Sequence, residues 1–266
     1  MLGFRINRED KKVHYAKRLI FTLFLVAGIV LSANETSLVE TKNVAPNPLK
    51  VGEKLTYSIT WKKVPAGKRT DWIVKQASVN GEDVYHIQSQ MRTRALFRVY
   101  SFQNQSETYF NPVTRSPVRF QNRLKDRGYR ATVKIDFRNG QAEYEKVSRP
   151  KSKSPQKREA KTLEIPPGTQ DELSIISFLR SKQLALGRTY FFPLLAKGKV
   201  HKATLTVERR EFIKSKVLGH VRTLVLRTSE GDRFWVTDDE RRLPVKIQVN
   251  KLGGLIATLT KIEPEN

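Results

Sequence analysis

The sequence predicts a mainly β protein. The expected architecture is a single antiparallel sheet, strongly curled into a barrel or half-barrel. One short helix is packed on or in it, and an N-terminal signal or anchor helix precedes it. Three observations carry this reading. Apolar and polar residues alternate along about a dozen short segments, as in Leu55, Tyr57, Ile59 and Trp61 against Thr56, Ser58, Thr60 and Lys62. Turn signals such as Asn80-Gly81, Asn139-Gly140 and Gly253-Gly254 recur between these segments. Helical spacing stands out in one stretch of the body, through Leu173, Ile176, Phe178 and Leu179.

The first segment is an address. Arg5, Arg8, Lys11, Lys12, Lys17 and Arg18 form a basic leader before the apolar run Leu19 to Leu31. As a helix that run spans roughly 20 Å, short of a roughly 30 Å hydrocarbon core. A cut after Ser32 places Val30 and Ser32 at the small-residue positions. Residues 1–33 therefore read as a cleavable signal peptide. An uncleaved N-terminal membrane anchor through residues 19–31 is the alternative, and basic leaders stay inside, so both put the body outside the cytoplasm. Residues 34–50, with Pro46-Asn47-Pro48, show no periodicity and read as a linker. Cysteine is absent. That excludes lipid attachment through cysteine, disulfides, and Cys-based zinc or redox sites. A body of this length buries enough apolar surface to fold without such staples.

The body begins near Val51. After Leu55 to Trp61, Pro65-Ala66-Gly67 reads as a turn. Asp71 to Ser78 and Val84 to Met91 pair across Asn80-Gly81. Phe97 to Phe102 and Ser106 to Phe110 continue the series, and Val118 to Leu124 meets Tyr129 to Phe137 across Asp126-Arg127-Gly128. Ala142 to Val147 follows. Residues 146–161 contain Arg149-Pro150-Lys151-Ser152-Lys153-Ser154-Pro155-Gln156-Lys157-Arg158 and offer almost nothing apolar to bury. They read as a flexible basic loop. Thr169 and Glu172 form a capping-box pattern for a helix running to about Lys182. The remaining segments are again strands: Phe191 to Leu195, Val200 to Glu208, Glu211 to Leu218, Val221 to Thr228, Arg233 to Thr237, Pro244 to Asn250 and Leu255 to Ile262. Lys and Arg fall on the polar parity of these strands, which argues against an outer-membrane barrel with its apolar outer band.

Three stretches carry a resemblance. Val51-Gly52-Glu53-Lys54-Leu55-Thr56-Tyr57-Ser58-Ile59-Thr60-Trp61 with Pro65-Ala66-Gly67 resembles the opening of the DUF3108 family of exported bacterial proteins. Asp171-Glu172-Leu173-Ser174 with Phe178-Leu179-Arg180 and Gly187 resembles its central helix, and residues 235–247 resemble its closing hairpin. The likeness covers about Val51 to Ile262. It implies an exported β-rich domain with no established activity. The hairpin is also similar in architecture to lipoprotein-carrier half-barrels, which shelter acyl chains; that likeness speaks to fold.

Chemistry is sparse. Nucleophile-elbow and phosphate-loop patterns are missing, and His86, His201 and His220 have no metal-ligand spacing. No metal or cofactor is expected. His86 falls on the polar parity of its strand and reads as a surface residue. Asp238, Asp239 and Glu240 form an acidic cluster, read as a hairpin turn paired with Arg241 and Arg242 rather than as a catalytic dyad. Asp171 reads as favouring the positive end of the helix.

Past the leader the chain holds 44 Lys+Arg against 24 Asp+Glu. Such a surface attracts polyanions. Outside the cytoplasm these are lipid headgroups and envelope polymers; nucleic acid is not expected. The expected function is therefore non-catalytic: an envelope protein that binds an amphipathic or anionic component in or on the β domain. Tyr57, Trp61, Tyr85, Phe137, Phe191 and Trp235 are the candidate apolar lining. Lys151, Lys153, Lys157 and Arg158 are the candidate anion contacts. The alternatives are an assembly factor with a filled barrel, acting by protein contacts, and an enzyme using the Asp238-Asp239 turn.

Overall fold

A computed structural model describes residues 48–93, 101–151, 153–250 and 254–263. Residues 1–33, where an export signal or anchor is expected, nearly all of the 34–50 linker and the strand start at Phe97 lie outside the described residues. The first eight strands are β1 Lys54–Trp61, β2 Val64–Val79, β3 Glu82–Thr93, β4 Phe102–Asn111, β5 Ser116–Asp126, β6 Tyr129–Arg138, β7 Gln141–Arg149 and β8 Lys157–Glu164. Helix α1 (Ser174–Arg180) follows. The last six strands are β9 Thr189–Ala196, β10 Lys199–Ser215, β11 Gly219–Thr228, β12 Arg233–Thr237, β13 Pro244–Val249 and β14 Leu255–Glu263.

All fourteen strands belong to one antiparallel sheet, in the order β8 to β1, then β14 to β9. Two meanders are thus welded by the β1–β14 pair, where Tyr57 faces Leu259 and Ile59 faces Ala257. The sheet is not closed; β8 and β9 are its edges. Its curl brings them near each other. A Cβ built on Gly198, in the β9–β10 turn, would fall 2.8 Å from Lys161 Cε of β8. A mainly β, curled single sheet with one short helix among the described residues is the fold the alternation implies.

The helix lies between the two meanders. Leu173, Ile175, Phe178 and Leu179 are buried in one cluster with Phe110, Phe120 and Ile135 from the first meander and Phe192, Leu194 and Leu226 from the second. The Phe178 and Phe192 rings stand 5.3 Å apart. A second cluster fills the other end of the curl, with Leu55, Tyr57, Ile59, Phe102, Val245 and Leu259. Closing apolar faces onto one another is what the period of two demands once one face is apolar.

The structure differs from the local expectations in several places. Pro65-Ala66-Gly67 lies inside β2. The reversal is at Lys62 and Lys63, both with positive φ, and a register shift sets Thr60 opposite Pro65. Proline is tolerated there because a bulge does not need its missing N–H. β10 is one strand with a shift between Val207 and Arg209, not two strands separated at that point. Its far end stops at Ser215, and residues 216–218 turn.

The basic region 146–161 is largely strand. β7 runs to Arg149 and β8 starts at Lys157, with Lys146 opposite Glu159 and Ser148 opposite Lys157. A sheet edge needs backbone pairing, not apolar side chains, so composition misled the reading. The capping box is shifted. Asp171 Oδ1 accepts from the N–H groups of Leu173 and Ser174, and Ser174 Oγ accepts from the Asp171 N–H. Thr169 instead donates to the Pro166 carbonyl.

Gly67 tests how closely β2 and β3 approach. An added Cβ would meet the Arg92 carbonyl oxygen at 2.5 Å, a backbone atom that cannot swing away. Gly67→Ala is expected to cost about 1–3 kcal/mol, read as a lower urea midpoint. An unchanged midpoint would show that β2 and β3 do not pack this closely.

Candidate functional site

The six candidate lining residues do not form one surface. Tyr57, Tyr85 and Phe137 are buried in the packed clusters. The Tyr57 hydroxyl donates to the Pro244 carbonyl at 3.0 Å, and burial pushes its ionisation far above the usual tyrosine range. Trp61 is half-buried against the second cluster, with Lys62 Nζ 5.3 Å from its ring centroid. Trp235 is buried but alternates with Phe234 and Val236, so it occupies the opposite sheet face from Val236 of the first cluster. Its indole N–H donates to Glu211 at 2.9 Å, and Lys246 Nζ sits 4.1 Å from the ring.

Phe191 is a correction. It is 76% exposed. Tyr190, Phe191 and Phe192 are three consecutive aromatics, so alternation alone could not fix the parity. Pairing of Tyr190 with Leu205 and of Phe192 with Ala203 turns those two inward and Phe191 out.

The four anion-contact candidates are exposed. Lys151 and Lys153 lie in the β7–β8 connection; Lys157 and Arg158 open β8. Arg158 pairs with Glu145 at 3.0 Å. The opposite edge, β9, is partly covered: the Gln170 N–H donates to the Pro193 carbonyl, and the Leu195 N–H donates to the Gln170 carbonyl, both at 2.8 Å. No backbone hydrogen bond reaches the outer side of β8 among the described residues.

Two groups escaped the sequence reading. The first is a clamp that joins the three stretches quoted for the family resemblance. Arg180, at the end of α1, is buried and donates to both carboxylate oxygens of Glu53, at 2.5 and 2.9 Å. It also donates to the carbonyls of Arg241 and Pro48, at 3.0 and 3.1 Å. Arg242 returns a bond to the Arg180 carbonyl. A planar fork of five donors suits such a convergence.

The second is the tie from the carboxylates at the helix start to β4: Asp171 is expected at the positive end of the helix, but its partner Thr108 is not legible in the sequence. Asp171 is fully buried and accepts from the Thr108 hydroxyl at 2.6 Å besides its capping bonds. Burial pushes it up to about 6 despite those bonds. Glu172, half-buried beside it, is pushed up to about 7 by burial and by the charge of Asp171, with Lys197 opposing. Its bonds from Leu173 and Ser174 cap the helix and its bond from Thr108 ties that cap to β4, so its role is anchoring. Composition could not reveal this, because Thr108 is remote in sequence.

The acidic turn is engaged in ion pairs and turn hydrogen bonds. Asp238 Oδ2 pairs with Arg210 and Arg222, each at 2.9 Å. Asp239 accepts from Thr237 and from Arg241. His86 is not at the surface: it is 8% exposed, stacks on Tyr109 at 4.6 Å between centroids, and places Nε2 3.0 Å from Glu107. Neighbouring strands cover it, which strand parity does not report. Among the described residues no group of three or more His, Asp or Glu could hold a metal ion, and no helix is long and apolar enough to cross a membrane.

Comparison with known proteins gives one family. A model described as "Protein of unknown function (DUF3108)" matches residues 56–260. No curated protein matches the chain. Among solved structures, the chain is similar to the beta-barrel-like protein of domain of unknown function DUF1849 from Brucella abortus. The identity is 13% and the TM-score 0.48, over 82% of this chain and 99% of that one.

Proposed function

The chain belongs to the DUF3108 family, and from that premise we propose that it is a non-catalytic envelope protein that holds an anionic component on the open, basic edge of its sheet. One contrast supports this reading. Tyr57, Tyr85 and Phe137, meant to line a slot, are packed into the core, whereas Lys151, Lys153 and Lys157 are exposed at an uncovered edge. Among the described residues none of these three lysines has an ion-pair partner. Edge lysines discourage strand pairing between copies; the same charges attract a polyanion. Export, read from residues 1–33, supplies the compartment in which headgroups and envelope polymers are the available anions. A packed interior favours recognition on the outside over enclosure of an acyl chain.

The test is elution from an immobilised polyanion. The full chain carrying K151E, K153E, K157E and R158E is expected to elute at about half the salt of the unaltered chain. A control carrying K63E, K68E, K214E and K216E, with the same net charge, is expected to shift much less. Equal shifts for the two sets would leave only net charge and sink the site. A second reading, an assembly factor acting through protein contacts, is favoured by Phe191 and Phe212, which are 76% and 70% exposed.

A further inference from the structure

On the face of the sheet opposite to the core, β3, β4 and β5 carry an array of planar polar side chains. Gln88, Glu107 and Gln121 stand directly opposite one another across the three strands. One step along, Gln90, Gln105 and Arg123 do the same. Opposite residues share a face, and strands lie about 4.8 Å apart, so the six groups form a two-by-three grid. They surround a depression of about 160 Å³, floored by the backbone at Ser89 and Ser106, whose side chains alternate to the other face. That volume is several times what one water needs and below the range of drug-sized pockets.

We propose that this depression binds a neutral saccharide, one sugar ring at a time. Four features argue for it. Each glutamine offers an amide donor and a carbonyl acceptor side by side, which is what a hydroxyl, both donor and acceptor, requires. The grid spacing sets these groups at intervals suited to hydroxyls on alternate carbons of a pyranose.

Its charges balance. One carboxylate, Glu107, and one guanidinium, Arg123, lie diagonally across the grid in a chain of net charge +24. The depression therefore selects by hydrogen bonding and not by the field that favours anions elsewhere. An aromatic platform flanks it as well. Trp72 of β2 stands opposite Gln88, half-buried on the same face. An apolar ring beside planar polar groups suits the C–H face of a sugar.

Finally, part of the grid is held in place beforehand. His86 Nε2 lies 3.0 Å from Glu107 and 3.2 Å from the Gln88 amide, and its ring is fixed by the stack on Tyr109. Prior ordering of these side chains lowers the entropy lost on binding. A peptide adding as a strand fits poorly, because β3, β4 and β5 are each paired on both sides and have no free backbone edge.

The experiment is saturation-transfer NMR, then calorimetry, on the full chain in a detergent without a sugar headgroup. The probes are cellotetraose, maltotetraose, chitotetraose, an oligogalacturonate and a tetrapeptide. At least one neutral tetrasaccharide is expected to bind with a Kd between about 10 µM and about 10 mM. Gln105→Ala and Gln121→Ala are each expected to weaken it about tenfold with unchanged thermal melting, since both residues lie on the sheet surface. About 0.5 M salt should leave the affinity unchanged. So should the four charge reversals at the β8 edge, which separates this site from the anion site proposed above. No neutral probe binding up to about 10 mM overturns the proposal. So does binding unmoved by the grid variants, or binding by the tetrapeptide or the acidic sugar alone.

Discussion

Arg180→Ala is expected to lower the unfolding free energy by about 3–5 kcal/mol, the cost of removing one partner of a buried ion pair. Arg180 is 3% exposed, and its guanidinium meets four acceptors: two oxygens of Glu53 and the carbonyls of Arg241 and Pro48. Truncation leaves a largely buried carboxylate without its counter-charge and two carbonyls without that donor. It also loosens the last turn of α1 from the segments on either side. Urea unfolding measures the loss directly. Arg180→Lys should recover only part of it, because an ammonium cannot reach four acceptors in a plane. Glu53→Gln should cost less than Arg180→Ala, since the amide keeps one acceptor. The double change Glu53→Leu with Arg180→Met should be milder than Arg180→Ala, as no charge is then stranded. A loss below about 1 kcal/mol for Arg180→Ala would place the pair among surface bridges and remove the clamp from the account of the fold.

Asp171→Asn is expected to do the reverse and stabilise the protein at neutral pH. The folded-state pKa of Asp171 is raised to about 6 from 3.8 by burial. Between those values the unfolded chain has released its proton while the native chain still holds it. The unfolded state therefore binds fewer protons, and stability falls as pH rises through the window. Above about pH 6 the penalty is complete, at about 3 kcal/mol from roughly 2 pKa units. Glu172, raised to about 7 by burial and by Asp171, adds a penalty of the same sign up to neutral pH.

An asparagine carbonyl still accepts from the N–H groups of Leu173 and Ser174, and its amide can donate to the Thr108 hydroxyl, so the cap survives. The variant should match the unaltered chain near pH 4 and exceed it by about 2–3 kcal/mol at pH 7. Asp171→Ala, which loses the cap, should lack that gain. Chemical denaturation across pH 4–8 checks all three. A constant difference between Asp171→Asn and the unaltered chain at every pH would mean that the carboxyl is not desolvated.

The strands were legible because a period of two is a local property. Leu55, Tyr57 and Ile59 must share a face whatever they pack against, and Asn80-Gly81 and Asn139-Gly140 reverse the chain with positive φ at both residues. Where two periods overlap, the reading failed. Three aromatics in a row hid the parity of Phe191, and the near absence of apolar side chains hid β8.

The site residues were less legible, for one reason: each depends on a partner distant in sequence. Glu53 gains its meaning from Arg180, Asp171 from Thr108, and Gln88 from Glu107 and Gln121. Strand parity placed His86 on the polar face correctly, yet only its neighbours Tyr109 and Glu107 show that it is covered.

By itself, then, the order of residues determined the fold class, most strand positions, the helix and the strongly cationic balance. These follow from alternation, turn chemistry and composition, which act over a few residues. Tertiary structure alone decided which edge stays open, that the aromatic interior is packed, and where polar side chains from separate strands meet. Those outcomes are set by register and curl, and a shift of one residue in pairing would send every side chain to the other face.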